Sequence, residues 1–263
     1  MAVETRLRAA NPTPANTVFT WNVEALPETS AAGRRSSCSG CHLRTICLPR
    51  NLREDELAEL DELTRVKRKV ARRAALYRNG DRFQSLYVVH SGSFKSVGMA
   101  GVQQQKVTGL YLPGDILGLD AISRHVHDYD AVALEDAEVC VVPYAQLTQM
   151  TLRMPELQAQ LLRVMSGDIV RDRGLVLGLG AMSAEERVAA FLLSLSARYQ
   201  KLGYAGTRFS VRMARHEIAS YLGLTVETVC RLLTCLERGG LVETHRREVQ
   251  LKDVPGLRKL VGY

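Results

Sequence analysis

The hydrophobic pattern changes several times along the chain, and each change marks a different kind of structure. Between residues 74 and 150, short apolar stretches alternate with turns such as Asn79-Gly80-Asp81 and Pro113-Gly114-Asp115. Many short strands separated by glycine turns are typical of a sandwich or barrel. The clearest predicted strands are Ser85–His90, Ser93–Val97 and Val139–Val142.

The segment before these strands has weaker patterns. Residues 1–35 contain scattered proline, alanine, threonine and asparagine without periodicity, which predicts a flexible arm. A leucine repeat between Arg53 and Leu63 predicts a short amphipathic helix. The basic run from Arg65 to Arg73 is interpreted as a solvated face.

Residues 155–179 carry seam positions at alternating spacings of three and four, the heptad pattern of a helix that pairs with another helix. We therefore predict a dimerisation helix over residues 154–182. A helix packed on its own β-domain is the alternative. The predicted seam consists of Leu162, Met165, Ile169, Asp172, Val176 and Leu179.

The last block, residues 183–263, combines helical periods with a short hairpin. The predicted helices are Ala184–Leu202, His216–Leu222 and Val226–Arg238, and the predicted strands are Val242–Thr244 and Glu248–Leu251. The two middle helices have the sequence pattern of a helix-turn-helix. The pattern consists of a small residue, Ala219, a turn residue, Gly223, and an N-cap candidate, Thr225. Its predicted buried positions are Ile218, Leu224, Val229 and Leu232.

The second helix of this motif has a polar face suited to reading DNA. Glu227, Cys230 and Arg231 are spaced to point the same way. An arginine can fork onto guanine, and a glutamate can accept from cytosine. A solvated Glu–Arg pair is the alternative. On the opposite side, Val226, Val229 and Leu233 are expected to point inward, and further candidates for phosphate contact include Arg208 and Arg212.

Composition and charge are those of a globular protein with a polyanionic partner. The chain has 263 residues, 46% hydrophobic and 24% charged, which excludes a disordered or collagenous chain. No apolar run is long enough for a membrane helix and no secretory signal is visible, so a cytoplasmic protein without membrane contact is expected. Of the net charge of +7, residues 183–263 carry +5, which suggests nucleic acid or only a solubility surplus.

Three of the six cysteines lie within ten residues. Cys38, Cys41 and Cys47 can converge on one metal or cluster, and Cys140, in a predicted strand, is the candidate for a fourth ligand. An iron–sulfur cluster and a structural zinc both remain open, the latter with four cysteines or with His42. Cys235 is interpreted as a core residue.

Several segments together resemble one family, the oxygen-sensing fumarate–nitrate reduction branch of the cyclic-AMP receptor family. The resemblance covers about residues 36–255. The segments that carry it are SCSGCHLRTICLP (37–49), LPGDILGLDAI (112–122), EVC (138–140), MSG (165–167), AEERVAAF (184–191) and YLGLTVETVCR (221–231).

The resemblance implies a fold, a cofactor and a target. The fold is α+β, with an N-terminal cyclic-nucleotide-type β-roll, a long dimerisation helix and a C-terminal winged helix-turn-helix. The cofactor is a [4Fe–4S] cluster on Cys38, Cys41, Cys47 and Cys140, which oxygen converts to [2Fe–2S] so that the homodimer falls apart. The target is double-stranded DNA with palindromic TTGAT half-sites, with RNA polymerase as a further partner.

The chain departs from the family pattern at three places. Cys230 stands where the family usually has serine, which affects the outermost base of the half-site. His42 stands where a small residue is usual, which affects the rate of oxygen attack. Gly118-Leu119 replaces the Gly-Glu pair of cyclic-nucleotide binders, and acidic Asp128 lies near the phosphate-binding position, so we predict no cyclic-AMP binding.

The sequence thus predicts an oxygen-responsive transcription regulator and not an enzyme. The predicted organisation is an arm at 1–35, a cluster segment and sensor roll at 36–153, the dimerisation helix at 154–182 and the DNA-binding domain at 183–263. We expect Asp172 to oppose pairing of two chains, because partly buried carboxylates would face each other. The alternatives are a thiol- or zinc-based redox regulator on the same scaffold and an electron-transfer iron–sulfur protein.

Overall fold

The computed structural model describes residues 37–100 and 104–262, so the arm predicted at 1–35 lies outside the described residues. A β-roll of two four-stranded sheets follows a short N-terminal helix. Its strands are β1 Lys67–Val70, β2 Ala75–Tyr77, β3 Ser85–Ser91, β4 Phe94–Ala100, β5 Gln104–Tyr111, β6 Ile116–Leu117, β7 Asp130–Ala133 and β8 Ala137–Pro143. The first sheet has the order β1-β8-β3-β6 and the second β2-β7-β4-β5.

The roll begins earlier than the sequence predicts. Its first strand lies inside the basic run that was interpreted only as a solvated face. Arg68 and Lys69 are exposed, as that interpretation expects, but Val70 is 5% exposed and packs in the roll. The strand was not predicted because three of its four residues are charged. With only one apolar position, the strand shows no alternation of apolar and polar residues.

Two helices flank the start of the roll and its end. Helix α1 (Glu54–Leu63) confirms the predicted amphipathic helix, with Leu57 and Leu60 buried. Helix α2 (Tyr144–Arg153) was not predicted, because the β-pattern was extended to residue 150. It buries only Leu147 and Met150, spaced by three, which is too little for a clear helical period.

Helix α3 (Pro155–Ala181) is the long helix predicted from the heptad pattern. Pro155 stands at its first position, where the missing N–H costs no intrahelical bond. Most of the seam is open to solvent in the single chain: Leu162 is 58%, Ile169 52% and Val176 69% exposed. Leu157 and Gln160, by contrast, are buried against the roll, so the N-terminal part of the helix belongs to the sensor core.

The C-terminal elements form a winged helix-turn-helix, as predicted. The helices are α4 (Ala184–Lys201), α5 (Arg215–Leu222), α6 (Val226–Arg238) and α7 (Val254–Leu260), and the three-stranded wing contains β9 (Arg208–Ser210), β10 (Val242–His245) and β11 (Glu248–Leu251) in the order β10-β11-β9. Neither β9 nor α7 was predicted, because each is too short to establish a period. Their apolar residues Phe209 and Leu257 are nevertheless buried.

The local chemistry of the helix-turn-helix follows the sequence closely. Gly223 has φ +63°, so the turn uses a backbone region that suits glycine. Ile218 and Val229 are fully buried, whereas Leu224 and Leu232 are half-buried against the same core. Two expectations for α6 were wrong.

Val226 and Cys235 are the two α6 residues whose burial was mispredicted. Val226 is 44% exposed rather than turned inward, and Cys235 is exposed rather than a core residue. Val226 is the first residue of the helix, where no preceding turn covers it. Cys235 lies beyond the reach of the α4 core because Leu233 and Leu236 already fill the buried stripe.

One hydrophobic cluster joins the roll to the C-terminal elements. Val107, Leu110 and Leu112 of the β5 region share it with the buried residues of α4, α5 and α6. Among the residues that the structure describes, no single helix is long and apolar enough to cross a membrane. The α5–α6 pair reaches that length only across a bend of 98°.

Candidate metal centre and nucleic-acid interface

Four of the six cysteines line one small apolar cavity between the N-terminal segment and the β-roll. Cys38, Cys41 and Cys47 come from the turns that precede α1, and Cys140 comes from β8. We predicted this grouping from the sequence, and in the structure the four side chains line the same cavity. The walls are apolar for the most part and include Leu43, Leu48, Pro49, Leu60 and Val88.

The chain holds the three N-terminal cysteines by burying the leucines between and after them. Leu43 is 2% and Leu48 1% exposed, so the segment is anchored on both sides of Cys47. The Cys47 N–H donates to the carbonyl of Leu43 at 2.9 Å, and the Cys38 N–H donates to the Asp61 carboxylate of α1. The N-terminal segment is therefore fixed on α1 and on the roll.

Burial raises the pKa of three thiols in the cavity, those of Cys38, Cys47 and Cys140. It raises the pKa of Cys140 to about 11, with Lys67 opposing and the neighbouring cysteines adding to the increase. Burial also raises the pKa of Cys47 strongly and that of Cys38, where a hydrogen bond with Thr64 at 3.2 Å opposes the shift. Protonated thiols are thus favoured in the absence of a cation, and a positively charged centre would favour the thiolates.

The donor set fits a cluster better than a single ion. Within residues 37–100 and 104–262, no three His, Cys, Asp or Glu side chains are arranged to hold one metal ion. A [4Fe–4S] cluster would be held by four cysteine thiolates. Four thiols in an apolar cavity, without a carboxylate in its wall, match the cysteine ligation of a [4Fe–4S] cluster.

A charged group that the sequence analysis missed borders the cavity. His90 Nδ1 lies 3.9 Å from Cys41 Sγ, and its Nε2 lies 3.8 Å from the Glu138 carboxylate. Lys67 Nζ is 3.3 Å from the same carboxylate. Burial lowers the pKa of His90, with Lys67 as the next cause. The β3–β8 pairing brings His90 to Glu138, and the β1–β8 pairing brings Lys67 there. No local sequence signal could reveal a group that depends on these two pairings.

The cysteine segment contacts α3 directly. The buried Gln160 side chain donates through Nε2 to the backbone carbonyl of Cys47 at 3.2 Å. Leu157, Leu161 and Val164 belong to the same hydrophobic cluster as Cys47 and Cys140. The start of the predicted dimerisation helix is therefore part of the wall that supports the four thiols.

The charged seam residue lies on the open part of α3. Asp172 is exposed in the single chain, although partial burial raises its pKa and neighbouring Arg171 opposes the shift. Met165 is half-buried, and Leu179 is 41% exposed. The structure thus leaves most of the predicted seam available for another chain, and it does not itself contain that chain.

Helix α6 presents the predicted reading face to solvent. Thr225 caps the helix, with its hydroxyl accepting from the Thr228 N–H at 3.1 Å. Glu227, Cys230 and Arg231 are all exposed, and Val229 on the other side is fully buried. These three side chains can therefore reach base edges without unpacking the domain.

The two arginines expected to contact phosphates both have carboxylate partners. Arg208 is 2.9 Å from Glu248 on the neighbouring wing strand, and both side chains are exposed. Arg212 is 3.0 Å from Glu135 of the roll. Arg208 is thus positioned on the wing, whereas Arg212 lies at the boundary between the sensor and the DNA-binding domain.

The positions that correspond to a cyclic-nucleotide site are filled with packed side chains. His127 is 3% exposed and stacks on Tyr77 at 3.6 Å between ring centres. Its Nδ1 lies 3.8 Å from Asp120, whose carboxylate accepts from the Asp128 N–H. Gly118, with φ +95°, lies against the edge of the His127 ring.

The winged helix-turn-helix, preceded by a β-roll and a long helix, is the arrangement of a DNA-binding regulator. Residues 67–154 match the model of the cyclic nucleotide-binding domain, and residues 186–260 match that of the Crp-like helix-turn-helix domain. The chain belongs to the CRP/FNR family of transcriptional regulators. Its homologues are regulators and not enzymes.

Relatives resemble the chain over most of its length. The transcriptional regulatory protein btr of Bordetella pertussis is 44% identical over 86% of this chain and 93% of that protein. An anaerobic regulatory protein of Haemophilus influenzae is 38% identical over 86% and 88%, and the fumarate and nitrate reduction regulatory protein of Yersinia pestis is 36% identical over 88% and 93%. The structure of FixK2 from Bradyrhizobium japonicum has a TM-score of 0.68 at 26% identity, covering 74% of this chain and 96% of that one.

Proposed function

We propose that this protein is an oxygen-responsive transcription regulator whose pairing on DNA depends on a [4Fe–4S] cluster. The observation that carries the proposal is the convergence of Cys38, Cys41, Cys47 and Cys140 on one apolar cavity beside α3. The names of its relatives, among them anaerobic regulatory proteins, support the same function.

The four cysteines would hold the cluster, and the chain around them would transmit its presence. When bound, the cluster would supply an oxygen-labile link between β8 and the N-terminal segment. The Cys47 carbonyl and Gln160 connect that segment to α3. A change in the position of Cys47 would therefore act directly on α3.

Pairing of two α3 helices is the step that we propose the cluster controls. The exposed residues Leu162, Ile169 and Val176 favour association because burying them removes apolar surface from water. Asp172 opposes it, because its carboxylate would lie near its own copy across a two-fold axis. A small movement of α3 can then decide between monomer and homodimer.

DNA binding follows from pairing, because one chain carries one reading helix. Two helix-turn-helix units about 34–36 Å apart fit successive major grooves of a palindromic site with TTGAT-like half-sites. Glu227 and Arg231 would read bases, Cys230 would lie beside them, and Arg208 and Arg212 would contact phosphates, with the Arg212–Glu135 pair opening to allow it. The dimer would act with RNA polymerase at anaerobic promoters as activator or repressor.

Two further features support a signal other than cyclic AMP. The packed pair of His127 and Tyr77 fills the roll where a nucleotide would need space. The acidic residues Asp120 and Asp128 beside it would repel a phosphate. We therefore propose that the roll binds no cyclic AMP and acts as a support for the cysteine site.

A zinc- or thiol-based redox regulator on the same scaffold is the second candidate. The observation that favours it is His90, whose ring nitrogen lies 3.9 Å from the Cys41 sulfur. A zinc ion would have to draw this nitrogen and three of the cysteines closer together than they stand in this structure. Reversible disulfide formation among the four neighbouring thiols would use the same cavity.

Purification without oxygen separates the candidates. We expect about four irons with sulfide per chain, a visible chromophore, and binding of a TTGAT palindrome that is lost after air. A Cys140→Ala variant should lose iron and DNA binding together, while Cys235→Ser, at an exposed cysteine away from the cavity, should keep both. Colourless, iron-free protein that binds the palindrome equally before and after air would contradict the proposal, and zinc in its place would favour the second candidate.

A further inference from the structure

We infer that Asp115 is the positioning residue that couples the cysteine segment to both α3 and the DNA-binding domain. The inference rests on the proposed function and names a route for its signal. The route consists of one turn, residues 112–115, which is in contact with the cysteine segment on one side and with two arginines on the other.

The side of the turn that faces the cysteines is tightly packed. A Cβ atom placed on Gly114 would stand 3.0 Å from the Cδ1 atom of Ile46, the residue before Cys47. Gly114 has φ +90°, so the turn also needs a glycine for its backbone. Any movement of Ile46 that accompanies assembly or loss of a centre on Cys47 therefore displaces this turn.

The turn is also tied to the strand that borders the cavity. The Gly114 N–H donates to the Val89 carbonyl at 2.8 Å, and the Val89 N–H donates to the Asp115 carbonyl at 3.0 Å. Val89 lies between Val88 and His90, which both line the cysteine cavity. The turn thus receives the position of the cysteine site through a side-chain contact and through a backbone pair.

The other side of the turn ends in a carboxylate shared by two helices. Asp115, only 17% exposed, pairs with Arg198 of α4 and lies 3.6 Å from Arg171 of α3. Arg198 also donates to the Leu110 carbonyl at 2.9 Å, and Arg171 also pairs with Asp168 on its own helix. One carboxylate therefore joins the sensor roll, the dimerisation helix and the first helix of the DNA-binding domain.

The position of Arg171 connects this junction to the charge in the seam. Arg171 precedes Asp172 and is the nearby cation that opposes the increase in the Asp172 pKa. Its guanidinium contacts Asp115 and Asp168 and acts on Asp172 through its charge. A displacement of Asp115 therefore changes where this positive charge lies relative to the seam carboxylate. The turn thus acts through the Asp115 carboxylate both on the pairing of two α3 helices and on the orientation of α4.

The test uses the full-length protein, purified without oxygen, and the variants Asp115→Asn, Arg171→Gln and their combination. Asparagine still accepts the Leu112 N–H bond, which Asp115 holds at 2.8 Å, so the variant removes the charge and keeps the turn. Arg153→Gln is the matched control, because it removes the exposed Arg153–Glu59 pair at 3.4 Å, remote from the turn. The measurements are iron and sulfide per chain, melting temperature, and affinity for a TTGAT palindrome before and after air.

We expect Asp115→Asn to keep its iron and to stay folded at the assay temperature, with a lowered melting temperature because two arginines lose their partner. The ratio of anaerobic to aerobic affinity should fall at least tenfold. The affinity ratio of the double variant should be no lower than that of Asp115→Asn, because both residues act through the Asp115–Arg171 contact. The control Arg153→Gln should keep the ratio of the unmodified protein. An unchanged ratio in Asp115→Asn, or loss of iron together with the ratio, overturns the inference. If Asp115→Asn does not fold, Arg171→Gln decides by the same criteria. Failure of the unmodified protein to respond to air would instead overturn the proposed function.

Discussion

Glu217 and Lys95 join the helix-turn-helix to the sensor roll by an ion pair. Lys95 Nζ lies 2.5 Å from the Glu217 carboxylate, and both side chains are less than one-fifth exposed. Burial alone would raise the pKa of Glu217, but the hydrogen bonds from Lys95 and from the Ala214 N–H outweigh it and lower the pKa. The charged form of this carboxylate therefore stabilises the folded protein.

The pH dependence of that contribution has a definite sign. Because the folded pKa of Glu217 is lowered, its stabilisation is complete above the unfolded value, about 4.3, and is lost as the pH falls through the folded value. Lys95→Met should lower the free energy of unfolding by about 1.5–3 kcal/mol at pH 7, with a smaller loss near pH 3. Urea titrations at both pH values measure it, with Lys252→Met at the exposed pair with Glu243 as the control. A loss independent of pH would contradict this assignment.

A second residue-scale prediction concerns base reading by Arg231. The side chain is exposed on α6 beside Glu227, free to fork onto guanine. Arg231→Ala should reduce discrimination at one position of each half-site by about 1–3 kcal/mol, measured by competition between operators that differ at single bases. Arg124→Ala, at an exposed arginine on the roll, should leave discrimination unchanged. Equal weakening on all operators would identify a phosphate contact instead.

At the scale of elements, the sequence predicts what is long and periodic. Helix α6 begins and ends where the pattern predicts, and α3 is one residue shorter at each end than the predicted 154–182. The short elements α2, β9 and α7 were missed because each buries one or two apolar side chains. Their existence depends on tertiary burial, which a local pattern does not contain.

The candidate site divides in the same way. The spacing of Cys38, Cys41 and Cys47 is a local signal, and Cys140 could be proposed because it is a cysteine in a predicted strand. The contacts of Gln160 with Cys47, and of Asp115 with two helices, join residues far apart in the chain. No spacing rule predicts such contacts, because they depend on how the roll packs against α3.

The N-terminus of α6 provides a prediction at this scale. The Thr225 hydroxyl satisfies one N–H of the first turn, so Thr225→Ala should destabilise the protein by about 1 kcal/mol. Thr234→Ala, an exposed change in the middle of the same helix, should be neutral or slightly stabilising. Thermal unfolding of the two variants compares them directly. Equal effects would mean that the cap contributes nothing.

For the whole molecule, the open seam of α3 and its single charge set the expected balance between monomer and dimer. Asp172→Ala should give a dimer that persists in air, because the apolar seam remains and the facing carboxylates are removed. Moving such an equilibrium from 1:99 to 99:1 requires about 5.5 kcal/mol, which is comparable with the several kcal/mol of a buried carboxylate pair.

Sedimentation in air measures this balance. Glu156→Ala, at an exposed position near the start of the same helix, serves as the control and should stay monomeric. An Asp172→Ala protein that also stays monomeric in air would contradict the role of this carboxylate. The iron content of both variants should equal that of the unmodified protein, since neither residue borders the cysteine cavity.

In the hydrogen bond between Gln160 and Cys47, the acceptor is the backbone carbonyl oxygen of Cys47 and not its sulfur. Any amino acid at position 47 presents that oxygen, so replacing the thiol leaves the mechanical connection intact. Conversely, shortening Gln160 severs the connection while all four sulfurs stay. Under the proposed function, substitution of Cys47 would therefore remove a ligand of the cluster, and substitution of Gln160 would remove the contact with α3, so the two roles can be tested separately.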